Sequence, residues 1–408
     1  MGRLQLKVLQ INSVCGYGST GRIVTDLYET IRDNGSQCLI AYGRKSAPKG
    51  IEAIRIGNTW DNYAHVAITR LFDKHGFAST KPTKKFLEEI GQINPDIIHL
   101  HNIHGYYINI KLLFDWLKDA HKPVIWTLHD CWAFTGHCAY FDYIGCDKWK
   151  TACQSCPQKN EYPESWFIDN SRSNFEAKKE LLTSIDDLTI VTPSKWLAEL
   201  VKESFLKRYD VSVIYNGIDL NIFKPRDKNI FREKYGVKDK FMILGVANIW
   251  DKRKGLKYFL ELADLIDRDS VIVLVGLNNT QLKHIPKNVI GIKRTDNINE
   301  LAEIYSAADV FVNPTLEEVL GLVNIESLAC GTPVITFDSG GSPECLDGKT
   351  GVVVKKGDVM DLLSKINDIK FSRLYEVDCR KRAVTFDKNE NYNKYMNLYL
   401  ETSKGYPK

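Results

Sequence analysis

Two glutamates eight positions apart carry the sharpest chemical signal in this 408-residue chain. They lie in residues 313–334, Asn-Pro-Thr-Leu-Glu-Glu318-Val-Leu-Gly321-Leu-Val-Asn-Ile-Glu326-Ser-Leu-Ala-Cys-Gly331-Thr-Pro333-Val. Glu326 interrupts what otherwise reads as an apolar helix. A carboxylate buried there needs a polar partner. The diol of a ribose suits it, because the carboxylate can accept both hydroxyl hydrogens. A place on the helix surface is the competing reading. Glu318 falls in the loop just before that helix, where it can reach a crevice.

A second group is cationic. The run Gly245-Val-Ala-Asn248-Ile-Trp-Asp-Lys252-Arg253-Lys254-Gly255 follows an apolar strand and precedes a helix. Positive charge at a helix amino end is unfavourable beside the helix dipole, a conflict that a bound anion relieves. Fixed cations at such a place stabilise a group that gathers negative charge. Solvated basic surface is the plain alternative. A glycine-rich turn, Gly16-Tyr-Gly18-Ser-Thr-Gly21, sits between another strand and helix. Such a turn lets backbone approach a phosphate at a helix amino end. Its spacing makes neither a full dinucleotide fingerprint nor a P-loop, which needs a closing lysine, and a simple tight turn fits equally. His129 and Asp130 close one apolar run. His101, His104 and Tyr107 follow another. Side chains just past parallel strand ends point toward ligands.

The positioning elements follow from short apolar runs alternating with helical stretches. Strands are predicted at 6–11, 37–42, 95–100, 124–128 and 188–191, then at 241–246, 271–275, 310–313 and 334–337. Helices are predicted at 22–34, stopped by Gly35, and at 256–266, 298–307, 322–330 and 392–401. This rhythm is that of α/β domains with doubly wound parallel sheets. A turn-rich stretch from Asn216 to Pro225 divides it. The expected domains are 1–218, with a cysteine-rich insertion at 131–157, and 219–385, with a terminal helix in 386–408 returning to the first domain.

Composition limits the rest. With 44% hydrophobic residues and 408 positions, each domain can bury its own core. The 55 basic and 51 acidic side chains nearly balance, and no arginine-lysine stripe appears, so no nucleic-acid partner is expected. No secretory signal and no apolar run of about 18 residues is present, which points to a cytoplasmic protein in at most peripheral contact with the inner face of a membrane.

The Glu318-x7-Glu326 block resembles the signature of glycosyltransferase family 4, with Gly321 and Gly331-Thr-Pro333 at its flanking positions and Gly340-Gly341-Ser-Pro-Glu344 like the stretch that follows it. The resemblance covers essentially the whole chain. It implies a GT-B fold, two Rossmann-like domains facing a central crevice, and transfer with retention. It implies that Glu318 contacts the transferred sugar, that Glu326 holds the ribose, and that Gly16, Gly18, Asn248, Arg253, Lys254, Gly321 and Leu322 help bind the donor. His129, Lys254 and Glu318 would be catalytic, with His101, His104 and Tyr107 on the acceptor side. The family's usual phosphate-binding arginine falls on Asn248, and Arg253 is the candidate replacement. The implied donor is a UDP- or GDP-linked sugar, and the implied acceptor a saccharide or lipid-linked saccharide of capsule, O-antigen or exopolysaccharide synthesis. No cofactor is expected for catalysis. A front-face route, with the leaving phosphate helping deprotonate the acceptor, fits the resemblance better than a covalent nucleophile. Other readings are a sugar phosphorylase, a synthase with a sugar-phosphate acceptor, and a scaffold that binds nucleotide sugars without turnover.

The insertion resembles one found in a bacterial polysaccharide-synthesis branch of the family. Cys153-x-x-Cys156 is a good zinc half-site, and Cys138 and Cys146 could complete a four-thiolate structural site, with His137 as a substitute ligand. Free buried thiols and a disulfide are the alternatives.

Overall fold

The computed structural model describes residues 5–371 and 376–404, so the first four residues of the predicted first domain and the last four of the predicted terminal segment lie outside it. The chain divides into two compact units, Met1–Tyr215 with Asn391–Lys408, and Asn216–Glu390. The division falls three residues before the position read from the sequence, and the terminal segment joins the first unit from Asn391.

The first unit is built on a seven-stranded sheet of β1 (Lys7–Val14), β2 (Gln37–Arg44), β3 (Ala53–Arg55), β4 (Ile97–Leu100), β5 (Val124–Thr127), β6 (Leu188–Thr192) and β7 (Val211–Val213). Its order is β3-β2-β1-β4-β5-β6-β7, and every pairing is parallel. Parallel strands need long crossovers, and helices supply them. β4 and β5 are buried at every residue, as strands covered on both faces must be. The helix Gly18–Asp33 begins four residues earlier than the sequence predicts, so Gly18 and Gly21 belong to its first turns and only Gly16 remains in the preceding turn.

The second unit carries β8 (Phe241–Val246), β9 (Ser270–Val275), β10 (Val289–Ile292), β11 (Val310–Asn313), β12 (Val334–Phe337) and β13 (Gly351–Val354). Their order is β10-β9-β8-β11-β12-β13, again with parallel pairings. Its core gathers Phe259, Ile272, Leu274, Val312, Ile335 and Phe337 around the sheet. In each sheet the strand order reverses at one place, between β1 and β4 and between β8 and β11. Ligands of doubly wound sheets bind outside the carboxyl ends at that switch.

The final helix, Lys388–Ser403, packs on the first unit through buried tyrosines. His99 takes the Tyr399 hydroxyl at 2.7 Å and the Thr127 hydroxyl at 2.8 Å, and Thr127 meets the Tyr395 hydroxyl at 3.0 Å. This polar chain ties the end of the polypeptide to β4 and β5.

Candidate active site

In the second unit, the loops after β8 and β11 flank the switch point and bring together Lys254 and Glu318, whose ammonium and carboxylate pair directly. Burial alone would push the Glu318 carboxyl up. Lys254 and Arg253 outweigh it and hold the carboxyl below its usual value. The pair is built by backbone constraints. Asp251 accepts from the Lys254 amide at 2.9 Å and caps a short turn. Arg253 donates to the Glu317 carbonyl at 2.9 Å, and the Leu316 amide donates to the Arg253 carbonyl at 2.7 Å. Gly255 has φ +77, and a Cβ there would lie 2.1 Å from the Pro314 carbonyl oxygen. Gly340 has φ +57, and a Cβ would lie 2.0 Å from the Glu318 carbonyl oxygen, to which Gly341 donates at 2.8 Å. Glycine at position 340 is what lets the backbone close over Glu318 at that distance.

Glu326 is buried, 6% exposed, so the surface reading fails. Tyr305 donates its hydroxyl to Glu326 Oε2 at 3.1 Å. The helix Leu322–Ala329 starts at Gly321, which has φ +83 and provides no side-chain cap. Leu322 is half-buried at the first position. Beneath this end Asn324 accepts from Asn313 at 2.8 Å and donates to Ser342 at 2.8 Å. That buried amide bridge went unread in the sequence. An asparagine inside an apolar run was its only signal. Asn248 is exposed in the loop after β8. Arg253, engaged with Glu317, lies partly buried and lends its charge to Glu318. Glu344 sits in the turn Ser342–Cys345.

In the first unit, Gly16 has φ +71 and bonds across the turn to the Gly21 carbonyl. Gly18 has φ +67 with open space where a Cβ would be. The helix that starts there has no side-chain cap and no acidic residue in its first turn, which leaves its amino end receptive to an anion. His101 and His129 stack at 5.4 Å and 14°, with His129 Nε2 3.1 Å from His101 Nδ1. Gln10 sets the tautomers. Its amide nitrogen donates to the Val24 carbonyl, so its oxygen faces His101 Nε2 at 3.1 Å. His101 Nε2 must then carry hydrogen, His101 Nδ1 accepts, and His129 Nε2 donates. His129 Nδ1 is left as a lone pair. Burial pulls His129 down to about 4 against the opposing effect of Asp130, so the ring is neutral near pH 7.

His104 meets Asp130 Oδ2 at 2.9 Å and the Tyr162 hydroxyl at 3.0 Å. Tyr162 and Gln10 were not read as site residues. Tyr107 departs from its expected acceptor role. It is 1% exposed, donates to the Asn102 carbonyl at 2.9 Å, and fills the space left by Gly43, where a Cβ would overlap its ring. It supports the strand end and offers no surface. His101 is likewise buried, beneath His129. Past β6, Ser194 caps the helix Lys195–Glu203 by accepting from the Leu197 amide at 3.2 Å.

All ten cysteines are free. Cys138, Cys146, Cys153 and Cys156 line one cleft with His137. Cys138 and Cys156 share a hydrogen bond that pulls the Cys156 thiol down and pushes Cys138 up. Cys153 Sγ accepts from the Gly136 amide at 3.2 Å. His137 Nδ1 lies 2.5 Å from Asp73, and its buried Nε2 has no partner. Among the described residues no group of three or more His, Cys, Asp or Glu stands ready to hold a metal ion. The expected ligands are thus gathered without forming a closed shell. Buried Lys178 pins the segment, donating to the Trp132 and Thr135 carbonyls at 2.8 and 3.0 Å.

Two parallel sheets, each with its candidate groups past the strand ends at its switch point, define a GT-B glycosyltransferase. Residues 20–222 match the model described as Glycosyltransferase Family 4, and residues 240–370 match Glycosyl transferases group 1. Together these span most of the chain, which belongs to glycosyltransferase family 4. A protein of Escherichia coli K12 named as a colanic acid biosynthesis glycosyl transferase, WcaC, is 26% identical over 97% of this chain and 99% of its own. The UDP-Gal:α-D-GlcNAc-diphosphoundecaprenol α-1,3-galactosyltransferase of Escherichia coli is 29% identical over 49% of this chain and 57% of its own. Among solved structures, sucrose-phosphate synthase of Thermosynechococcus elongatus superposes with TM-score 0.73 at 18% identity, covering 98% of this chain and 100% of that one. HepE of Anabaena in complex with UDP and glucose gives 0.68 at 16%, covering 97% and 100%.

Proposed function

We propose that this glycosyltransferase is retaining, and that it moves a hexose from a UDP- or GDP-linked donor to a hydroxyl of a saccharide or lipid-linked saccharide in cell-surface polysaccharide synthesis, at the inner face of the membrane. The observation that carries the donor side is the Lys254–Glu318 pair, followed in the chain by buried Glu326 on the helix Leu322–Ala329. Glu326 has the chemistry to accept ribose hydroxyls. Lys254 offers its charge to the departing diphosphate, and Glu318, held ionised, accepts hydrogen bonds from hydroxyls of the transferred sugar. In the first unit, the His129 Nδ1 lone pair can accept from a sugar hydroxyl. None of these groups needs to become a covalent nucleophile, and the released phosphate oxygen can take the acceptor proton.

The test is release of nucleoside diphosphate from UDP- and GDP-linked hexoses with candidate acceptors, and the anomeric configuration of the product by NMR. Inversion would overturn retention. Release that requires inorganic phosphate would favour a phosphorylase, and no release with Glu318→Gln and wild type alike would favour a binding scaffold.

We also propose structural zinc in the cysteine cleft. Soft thiolates with an imidazole suit zinc, and Asp73 would orient His137 as a carboxylate commonly orients a zinc-bound histidine. Protein purified without chelators should carry about one zinc per chain, lost in Cys153→Ser. A metal-free chain whose cysteines all titrate would refute this.

A further inference from the structure

The helix Thr59–Phe72 is built inside out. Its buried positions are Asn62, His65 and Thr69. Its outward stripe, at spacings of three, four, seven, eight and eleven from Trp60, is Tyr63, Ala64, Ala67, Ile68 and Leu71. Trp60 is 80% exposed and Tyr63 63%. A helix of a globular protein ordinarily turns its apolar stripe inward. This one cannot roll over, because its polar face is fully engaged. Asn62 donates to the Tyr106 carbonyl at 3.0 Å. His65 bonds Ser79 at 2.8 Å through one nitrogen and accepts the Gly76 amide at 3.1 Å through the other.

A second segment extends the stripe. The Trp166 amide donates to the Arg70 carbonyl at 2.8 Å, and Asn170 donates to the Phe72 carbonyl at 2.8 Å. These bonds set exposed Trp166 and Phe167, the latter 73% exposed, beside exposed Phe72 at the end of the helix. Arg70 lies over the Trp166 ring at 5.2 Å, and Lys159 points its ammonium at the Trp166 and Phe167 carbonyls at 3.4 Å. Exposed Arg55 and Lys74 flank the two ends of the helix. Two acidic neighbours are turned to local partners. Asp61 accepts the Asn58 amide, and Glu164 takes the Trp166 indole and Arg70.

We propose that this face docks on an anionic lipid bilayer, with the aromatic stripe entering the boundary between headgroups and acyl chains and Arg55, Lys74 and Lys159 at headgroup level. Tryptophan, tyrosine and long basic side chains are what that boundary favours, each offering an apolar body and a polar end. The stripe itself holds no charge, and Arg55, Lys74 and Lys159 set basic charge at its rim, which selects a lipid surface bearing negative charge. The inference rests on the membrane placement proposed above and adds the face that would make it, and vesicle binding is read without the transfer reaction.

The test is co-sedimentation of the full chain with vesicles of phosphatidylcholine alone and with about one-third phosphatidylglycerol. Wild type should pellet with the anionic vesicles and less with the neutral ones. Trp60→Ser with Leu71→Ser should lower partitioning at least about tenfold while leaving the melting temperature unchanged, since both side chains are exposed. As a check that does not rely on a disruptive variant, quenching of tryptophan emission by brominated lipid should fall in Trp60→Phe. Wild type that stays in the supernatant with both vesicles overturns the proposal. So does binding that the double substitution does not reduce. If light scattering shows a wild-type dimer that the double variant cannot form, with vesicle binding unchanged, the face joins two copies of the chain and the proposal fails.

Discussion

At the scale of single residues, the candidate site runs on charges held in particular states. Glu318 is ionised because Lys254 and Arg253 outweigh its burial. Removing Lys254 should therefore do two things. Turnover should fall on the order of a hundredfold or more, as when fixed charge facing a developing anion is lost. The Glu318 carboxyl should also rise, so the acid limb of the pH–rate profile moves to higher pH in Lys254→Ala. A profile that keeps its acid limb would detach Glu318 from the reaction. Glu326→Gln tests the other carboxylate. A charged hydrogen bond to a hydroxyl is worth roughly 1.5–3 kcal/mol, so nucleoside diphosphate should bind on the order of tenfold or more weaker by calorimetry, with folding preserved. Equal affinity would remove Glu326 from the ribose.

Elements decide whether those residues arrive, and here the sequence was unevenly legible. The apolar runs at β4, β5, β8, β11 and β12 announce strands because both their faces are covered, and the chemistry read at their ends sits past them in the structure. Edge strands β3 and β13 are half-exposed and short, and β10 contains a glycine, so none shows that pattern. The helix Thr59–Phe72 has a regular apolar period, but that face points away from the core, so the period does not show which side is buried. Tyr107 was expected on the acceptor side because nothing local reveals that Gly43 leaves room for its ring. Gln10 sits in β1, and only pairing of β1 with β4 brings it to His101. The glycines, by contrast, were readable and can be tested. Gly340→Ala places a Cβ against the Glu318 carbonyl in a left-handed backbone. Such strain costs about 1–3 kcal/mol. Activity should fall further than the shift in melting temperature explains, because the strained atom touches Glu318. Activity that survives with stability lost would mean the loop only packs.

Over the whole molecule, the histidines are unevenly distributed, and acid should expose the difference. Eight of the nine histidines fall in the first unit and only His284 in the second. Burial pulls His65 and His99 down from 6.5 to about 3. A histidine whose folded value is depressed stabilises the fold fully above its unfolded value. That stabilisation is lost as pH falls from about 6.5 toward about 3, because the unfolded chain binds the proton first. Each contributes a slope on the order of 1.4 kcal/mol per pH unit within that window. His99 also holds Tyr399, so its protonation strikes the contact that fastens the terminal helix to β4 and β5. Melting temperature should thus decline from about pH 6.5 downward, and hydrogen exchange at about pH 5 should release β4, β5 and the helix Lys388–Ser403 before β8 and β11. Tyr399→Phe leaves one His99 nitrogen unpaired at a cost of roughly 1–3 kcal/mol, and should weaken protection in the same three elements already at neutral pH. A melting temperature level across this range, or earlier release of β8 and β11, would show that the buried histidines do not govern the acid limit of this fold.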